Sequence, residues 1–228
     1  VADKPPPEAL KLEPPQATVP ASGTLLVFGS TSGARDGSST DETPNLLFPH
    51  RLSAGLGAAR ITFVTSGCTS THCVALGADG EVFTWGRNDA GQLGLGDVAA
   101  RARPTRVAAL DGKAVRTAAT GKAHTLFLTA AGEVLACGAC KQGACGALVP
   151  KKAEHVASPT AVPFAAGTRV TGVACGTAFN LAIDAEGDVW SWGWSEFGVL
   201  GNGTDHQHNT KDGAVKLSYE AKATPSRV

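Results

Sequence analysis

The chain has 228 residues, a mass of 23.1 kDa and 43% hydrophobic residues, enough for a sizeable core, which excludes disorder throughout. Lys+Arg and Asp+Glu stand at 20 each, which excludes a polycation, and no apolar stretch approaches the ~20 residues of a membrane-spanning helix. The 28 glycines follow no collagen period and separate short apolar runs, so many tight turns joining many short strands are expected.

Residues 1–22 hold six of the 13 prolines and no aromatic residue, a composition that predicts an extended, solvated arm. From Gly23 onward, apolar runs of four to seven residues alternate with Gly, Asp-Gly and Asn-Gly, the pattern of strands and turns. The segment Gly80-Glu-Val-Phe-Thr-Trp-Gly86 recurs as Gly132-Glu-Val-Leu-Ala-Cys-Gly138 and as Gly187-Asp-Val-Trp-Ser-Trp-Gly193. A weaker copy stands at Gly23-Thr-Leu-Leu-Val-Phe-Gly29, and the four leading glycines are 57, 52 and 55 residues apart. Upstream of each full copy come alternating apolar pairs, Val74/Leu76, Leu126/Leu128 and Leu181/Ile183, as in a strand. His72, His124 and Phe179 share one register position, and each unit closes on a proline, Pro104, Pro159 or Pro225. Trp85 and Trp192 share another, which Cys137 occupies in the middle copy.

A small antiparallel sheet with two apolar faces cannot bury both by itself, and radial stacking of such sheets protects faces and edges together. The fold class expected is all-β: a β-propeller of four-stranded antiparallel blades, with one partial unit near 23–60 and three full ones near 61–114, 115–169 and 170–228. The structural positions of the repeat are then Gly80, Trp85, Gly86, His124, Gly132, Gly138, Gly187, Trp192 and Gly193. A period above 50 exceeds that of the blade repeats marked by Trp-Asp, and no Trp-Asp occurs.

The segments Gly-Lys-Ala-His-Thr-Leu-Phe-Leu-Thr (121–129) and Trp-Gly-Arg-Asn-Asp-Ala-Gly-Gln-Leu-Gly-Leu-Gly (85–96) resemble the repeat of the regulator of chromosome condensation family. The resemblance runs from about Gly23 to Val228 and is nearest in texture to the mitotic, small-GTPase-associated branch of that family. It implies a seven-bladed ring, a non-catalytic body, and surfaces that bind small GTPases or chromatin. Seven blades of this period need roughly 350 residues, so the remaining blades are expected from the rest of a longer chain or from a second chain.

Six cysteines invite metal or disulfide chemistry, and Cys137-x-x-Cys140-x4-Cys145 with His124 has the look of a zinc constellation. The repeat register favours another reading, in which Cys137 and Cys145 replace Trp and Leu as small core hydrophobes. Unpaired cysteines throughout are then expected, as suits a reducing nuclear or cytoplasmic compartment. His206-x-His208 lies in a long polar stretch and reads as exposed loop. No nucleophile elbow, phosphate-binding loop or carboxylate pair occurs, so no catalytic residue, cofactor or metal is expected.

Nine Lys/Arg and two acids lie between Arg101 and Lys152, a balance of +7 within a neutral chain. This basic segment, 101–152, is a candidate surface for an acidic partner, chromatin or a nucleic-acid backbone. The candidate partner-binding residues are Arg87, Asn88, Asp89, Arg101, Arg103, Arg106, Lys122 and Lys141. The function expected is that of an interaction protein for a small GTPase, chromatin or a cytoskeletal partner, with possible nucleotide exchange through a wedge at 147–158 or 202–224. The alternative is a scaffold subunit of a large assembly with no GTPase role.

Overall fold

The structure, a computed structural model, describes residues 23–29, 46–52, 54–146, 153–203, 207–209, 217–219 and 221–228. The proline-rich arm at 1–22 and His206 lie outside them. Three four-stranded antiparallel sheets follow one another along the chain. Two strands precede them, β1 (Leu26–Gly29) and β2 (Leu46–Arg51), paired with each other. The first full sheet holds β3 (Ile61–Thr65), β4 (His72–Gly77), β5 (Val82–Gly86) and β6 (Arg101–Arg106). The second holds β7 (Val115–Thr120), β8 (His124–Thr129), β9 (Val134–Ala139) and β10 (His155–Ala161). The third starts with β11 (Val170–Cys175), β12 (Phe179–Asp184) and β13 (Val189–Gly193). Here the chain inserts a short ribbon, β14 (Gln207–Asn209) with β15 (Leu217–Tyr219), before β16 (Lys222–Arg227) closes the sheet.

The repeat seen in the sequence is also a repeat of register. His72 pairs with Gly86, His124 with Gly138 and Phe179 with Gly193, while Leu76 faces Val82, Leu128 faces Val134 and Ile183 faces Val189. Each hairpin between these strands turns through the leading glycine, whose φ of +83° at Gly80, +90° at Gly132 and +89° at Gly187 completes a turn with a glycine bulge.

The core lies between the sheets rather than within any one of them. Val74, Leu76 and Val82 of the first sheet meet Val115, Ala118 and Phe127 of the second. The other face of the second sheet, Leu126, Leu128 and Val134, meets Val170, Ala182 and Trp192 of the third. Phe164 stands edge-on to both Trp190 and Trp192 with ring centroids 5.6 Å away, an arrangement that adds quadrupole attraction to area burial. At the matching positions of the third sheet, Ile183 and Val189 remain 43% and 41% exposed, because among the described residues no sheet packs on that face. No helix among the described residues is long and apolar enough to cross a membrane.

Candidate functional site

Polar side chains cross from sheet to sheet at the end of the molecule where each histidine position sits. The Nε2 of His72 lies 2.7 Å from Thr125 Oγ1, and the Thr125 hydroxyl donates to the carbonyl of Gln92 at 2.7 Å. With its one hydrogen so committed, Thr125 can only accept from the ring, which fixes His72 as the Nε2–H tautomer. The next interface repeats the device with different residues: His124 Nε2 donates to Asn180 Oδ1 at 2.8 Å, and Asn180 Nδ2 donates to the Ala144 carbonyl at 2.6 Å. Burial pushes the His72 imidazole down to about 3, aided by the nearby His124, and burial pushes His124 down to about 4. Both rings are therefore neutral in the folded protein near pH 7.

Gln92 and Ala144 belong to equivalent glycine-rich loops, and each loop must be held still to present its carbonyl. In the first sheet Asn88 does this. Its Oδ1 accepts from Leu93 N at 2.9 Å, and its Nδ2 donates to the carbonyls of Asp97 and Ala99 at 3.0 and 2.9 Å. Asn88 is fully buried and spends its amide internally, which corrects its placing among the partner-binding residues. Asn88→Ala strands these buried groups and is expected to lower stability by roughly 2–4 kcal/mol. Urea unfolding measures this, and a loss below about 1 kcal/mol would show that the loop holds without its brace.

In the second sheet the positions of Asn88 and Leu93 are taken by Cys140 and Cys145, and these are joined in a disulfide. This corrects the expectation of unpaired cysteines throughout, and it takes two of the three thiols out of the zinc constellation. The cysteines outside the disulfide among the described residues are Cys68, Cys73, Cys137 and Cys175. Cys137 is a buried core residue whose thiol is pushed up to about 12 by burial, and it donates to the Gln92 carbonyl.

A cleft of about 900 Å³ opens between the second and third sheets, beside the His124–Asn180 contact. Lys122, Lys141, Gln142, Phe179, Trp194 and Phe197 are among its lining residues. Phe197 is 82% exposed and held at a φ of +60°, a left-handed conformation that costs a non-glycine residue about 1 kcal/mol or more.

Of the basic candidates, Lys122 and Lys141 both line this cleft. Arg101, Arg103 and Arg106 lie instead along β6, the last strand of the first sheet. Three candidate arginines are engaged by neighbouring carboxylates: Arg87 with Asp89 at 2.6 Å, Arg101 with Asp97 at 2.6 Å and Arg106 with Asp111 at 3.2 Å. The Arg101 guanidinium holds the Asp97 carboxyl below the usual carboxylate range. These pairs dilute the positive charge of the 101–116 stretch. Residues that sequence reasoning passed over are Thr125, Asn180, Gln92, Trp194 and Phe197. The signal for the first two was a polar residue at one repeat position inside otherwise apolar strands. The connector at 147–158 is shorter than the sequence suggested, since β10 begins at His155 and residues 147–152 lie outside the described ones.

The regulator of chromosome condensation (RCC1) repeat model matches residues 79–128, 131–183 and 186–227. Among curated proteins, Protein RCC2 of Mus musculus is 34% identical over 217 residues, covering 90% of this chain and 40% of the relative. The Xenopus laevis RCC2 homolog is 33% identical over 232 residues, covering 97% of this chain and 43% of the relative. The chain thus spans less than half the length of these relatives. Among solved structures, Prp20p of Saccharomyces cerevisiae, described with its binding properties to Gsp1p and histones, superposes with a TM-score of 0.70 at 26% identity. That match covers 90% of this chain and 46% of Prp20p. Human WBSCR16 shares the fold with a TM-score of 0.68 at 23% identity, covering 89% of this chain and 46% of that one.

Proposed function

The chain belongs to the regulator of chromosome condensation (RCC1) repeat family, and from that premise we propose that it binds a small GTPase through the cleft between its second and third sheets. The carrying observation is the combination of exposed Phe197 with Lys122 and Lys141 around one apolar cleft. The aromatic ring supplies desolvation energy at the centre, and the two ammonium groups steer an acidic surface toward it. The binding of Gsp1p by Prp20p supports a GTPase as partner. The β14–β15 ribbon, inserted between β13 and β16, is the element assigned to enter a nucleotide pocket. In that role it would act by displacing the phosphate and metal contacts of the nucleotide, with binding energy and no covalent step. A nuclear or cytoplasmic place of action suits this reading.

The test is direct binding and release of labelled nucleotide over a panel of purified small GTPases. At least one GTPase is expected to bind, with Phe197→Ala weakening it by 10-fold or more and Lys141→Glu slowing association most at low salt. A flat response over the panel rejects the GTPase reading and leaves the scaffold one. The histone binding of Prp20p favours a second reading, chromatin attachment, through the basic stretch. There, charge reversal at Arg103 is expected to weaken binding to DNA-wrapped histones and flatten its salt dependence.

A further inference from the structure

We propose that Cys140 and Cys145 are a reversible thiol–disulfide modification site that switches the 140–146 loop between a clamped and a loosened state. The two sulfurs are bonded to each other across five residues, at the positions where the preceding sheet uses the Asn88 side chain and the Leu93 amide. The bond therefore does covalently what a buried amide does without redox chemistry one repeat earlier. When it is reduced, nothing equivalent to Asn88 remains. A thiol is a weak donor and cannot reproduce the three carbonyl and amide contacts that the asparagine makes.

Three observations favour a switch over a permanent staple. A cross-link over so short a loop removes less chain entropy than one closing a long loop, which puts its contribution at the low end of the disulfide range. The third sheet carries Ser195 and Leu200 at the same two places and folds with the same register, so the repeat does not need the bond. Cys68 is a free, exposed thiol on the same molecule, which is how proteins of reducing surroundings look and where disulfides are transient.

Access is asymmetric. Cys140 is half-buried, whereas Cys145 is buried, so Cys140 is the sulfur a small reagent reaches first. In oxidation, the Cys140 thiolate attacks a low-molecular-weight disulfide such as glutathione disulfide and releases one small thiol. The Cys145 thiolate then attacks the Cys140 sulfur and releases the second. The two protons lost by the cysteines end on the two small thiols, and the glutathione disulfide takes up the two electrons. Cys137 lies nearby in sequence but stays out of the exchange, because its buried thiol does not ionise near neutral pH.

The loop so controlled is tied to the neighbouring sheet twice. The Ala144 carbonyl accepts from Asn180, and Gly143 is packed so closely on the backbone of Lys222 and Ala223 that a Cβ there would fall 2.9 Å from the Lys222 oxygen. Oxidation state should therefore be read out locally in backbone exchange. The whole chain is equilibrated at a series of reduced-to-oxidised glutathione ratios, alkylated and mapped by mass spectrometry, with hydrogen exchange followed in parallel. The expected result is that Cys140 and Cys145 pass together from alkylated to cross-linked, and that amides of 141–146 exchange at least about 10-fold more slowly when oxidised. Amides of 89–94 should be indifferent. Cross-linking that persists in excess reduced glutathione, or never forms in excess glutathione disulfide, overturns the proposal, as does equal exchange in both states. Cys140→Asn with Cys145→Leu should restore the amide brace, giving slow exchange at every ratio. Cys145→Ser, which keeps a small side chain, should instead be fast at every ratio. A redox response surviving in either variant would place the effect at another cysteine and reject the site.

Discussion

Acidification from pH 7 to pH 5 is expected to cost the folded chain about 4 kcal/mol through His72 and His124 alone, a large share of a typical 5–15 kcal/mol. In the unfolded chain both rings titrate near 6.5, whereas burial lowers them to about 3 and about 4 in the fold. Between those values the unfolded state binds more protons than the folded one, so stability falls as pH falls through 6.5 and continues to fall until the folded pKa values are reached. Protonation would also place a second hydrogen on a ring whose surroundings are already assigned. The Nδ1 of His72 lies 3.0 Å from Ser70 Oγ, whose hydroxyl donates to the His72 carbonyl at 2.7 Å. Urea unfolding at the two pH values measures the effect. His124→Phe borrows the ring of Phe179 and should roughly halve the pH dependence while lowering stability at pH 7, because Asn180 Oδ1 loses its donor. A pH 7 to pH 5 change below about 1 kcal/mol in the unmodified chain would mean that the rings are solvated and the inter-sheet contacts are open.

Gly138→Ala is expected to destabilise the chain by roughly 3 kcal/mol or more. The residue sits at a φ of +113°, beyond the left-handed well that other residues reach, and lies opposite His124 in the ladder. An added Cβ would stand 2.3 Å from the Ala123 carbonyl oxygen and 2.5 Å from the His124 Cα, both backbone atoms of the paired strand that cannot swing aside. Gly80→Ala is the control: its φ is +83° but no atom lies within 4 Å of the new methyl, so only the conformational cost of about 1 kcal/mol applies. Equal losses at the two sites would show that conformation alone, and not the close approach of the strands, fixes the glycine.

Much of the fold was legible because its constraints are local and repeated. The alternating Val74/Leu76, Leu126/Leu128 and Leu181/Ile183 pairs declared strands, and the leading glycines declared hairpins that need a positive φ. The copies that share register in the sequence also share pairing in the ladders, His72 with Gly86 and His124 with Gly138. The site was less legible. Asn88 follows Trp-Gly-Arg and precedes Asp-Ala-Gly, a polar stretch that reads as surface, yet the loop folds over it and buries it. Arg101 and Arg106 counted as free charge in the sequence and are paired in the fold with Asp97 and Asp111. Cys140 and Cys145 looked like substitutions for Asn and Leu, and nothing in the string required that their sulfurs meet.

The sequence by itself determined the period, the strands, the turn glycines and the all-β class, since strand alternation and backbone dihedral demands act within a few residues. The tertiary structure decided which carbonyl each cross-sheet side chain reaches. Thr125 finds Gln92 and Asn180 finds Ala144 across 33 and 36 residues of chain, at distances set by how one sheet seats on the next. It likewise decided that the glycine-rich loop of the second sheet is clamped by a bond between sulfurs, because only folding of that loop brings the two side chains into contact.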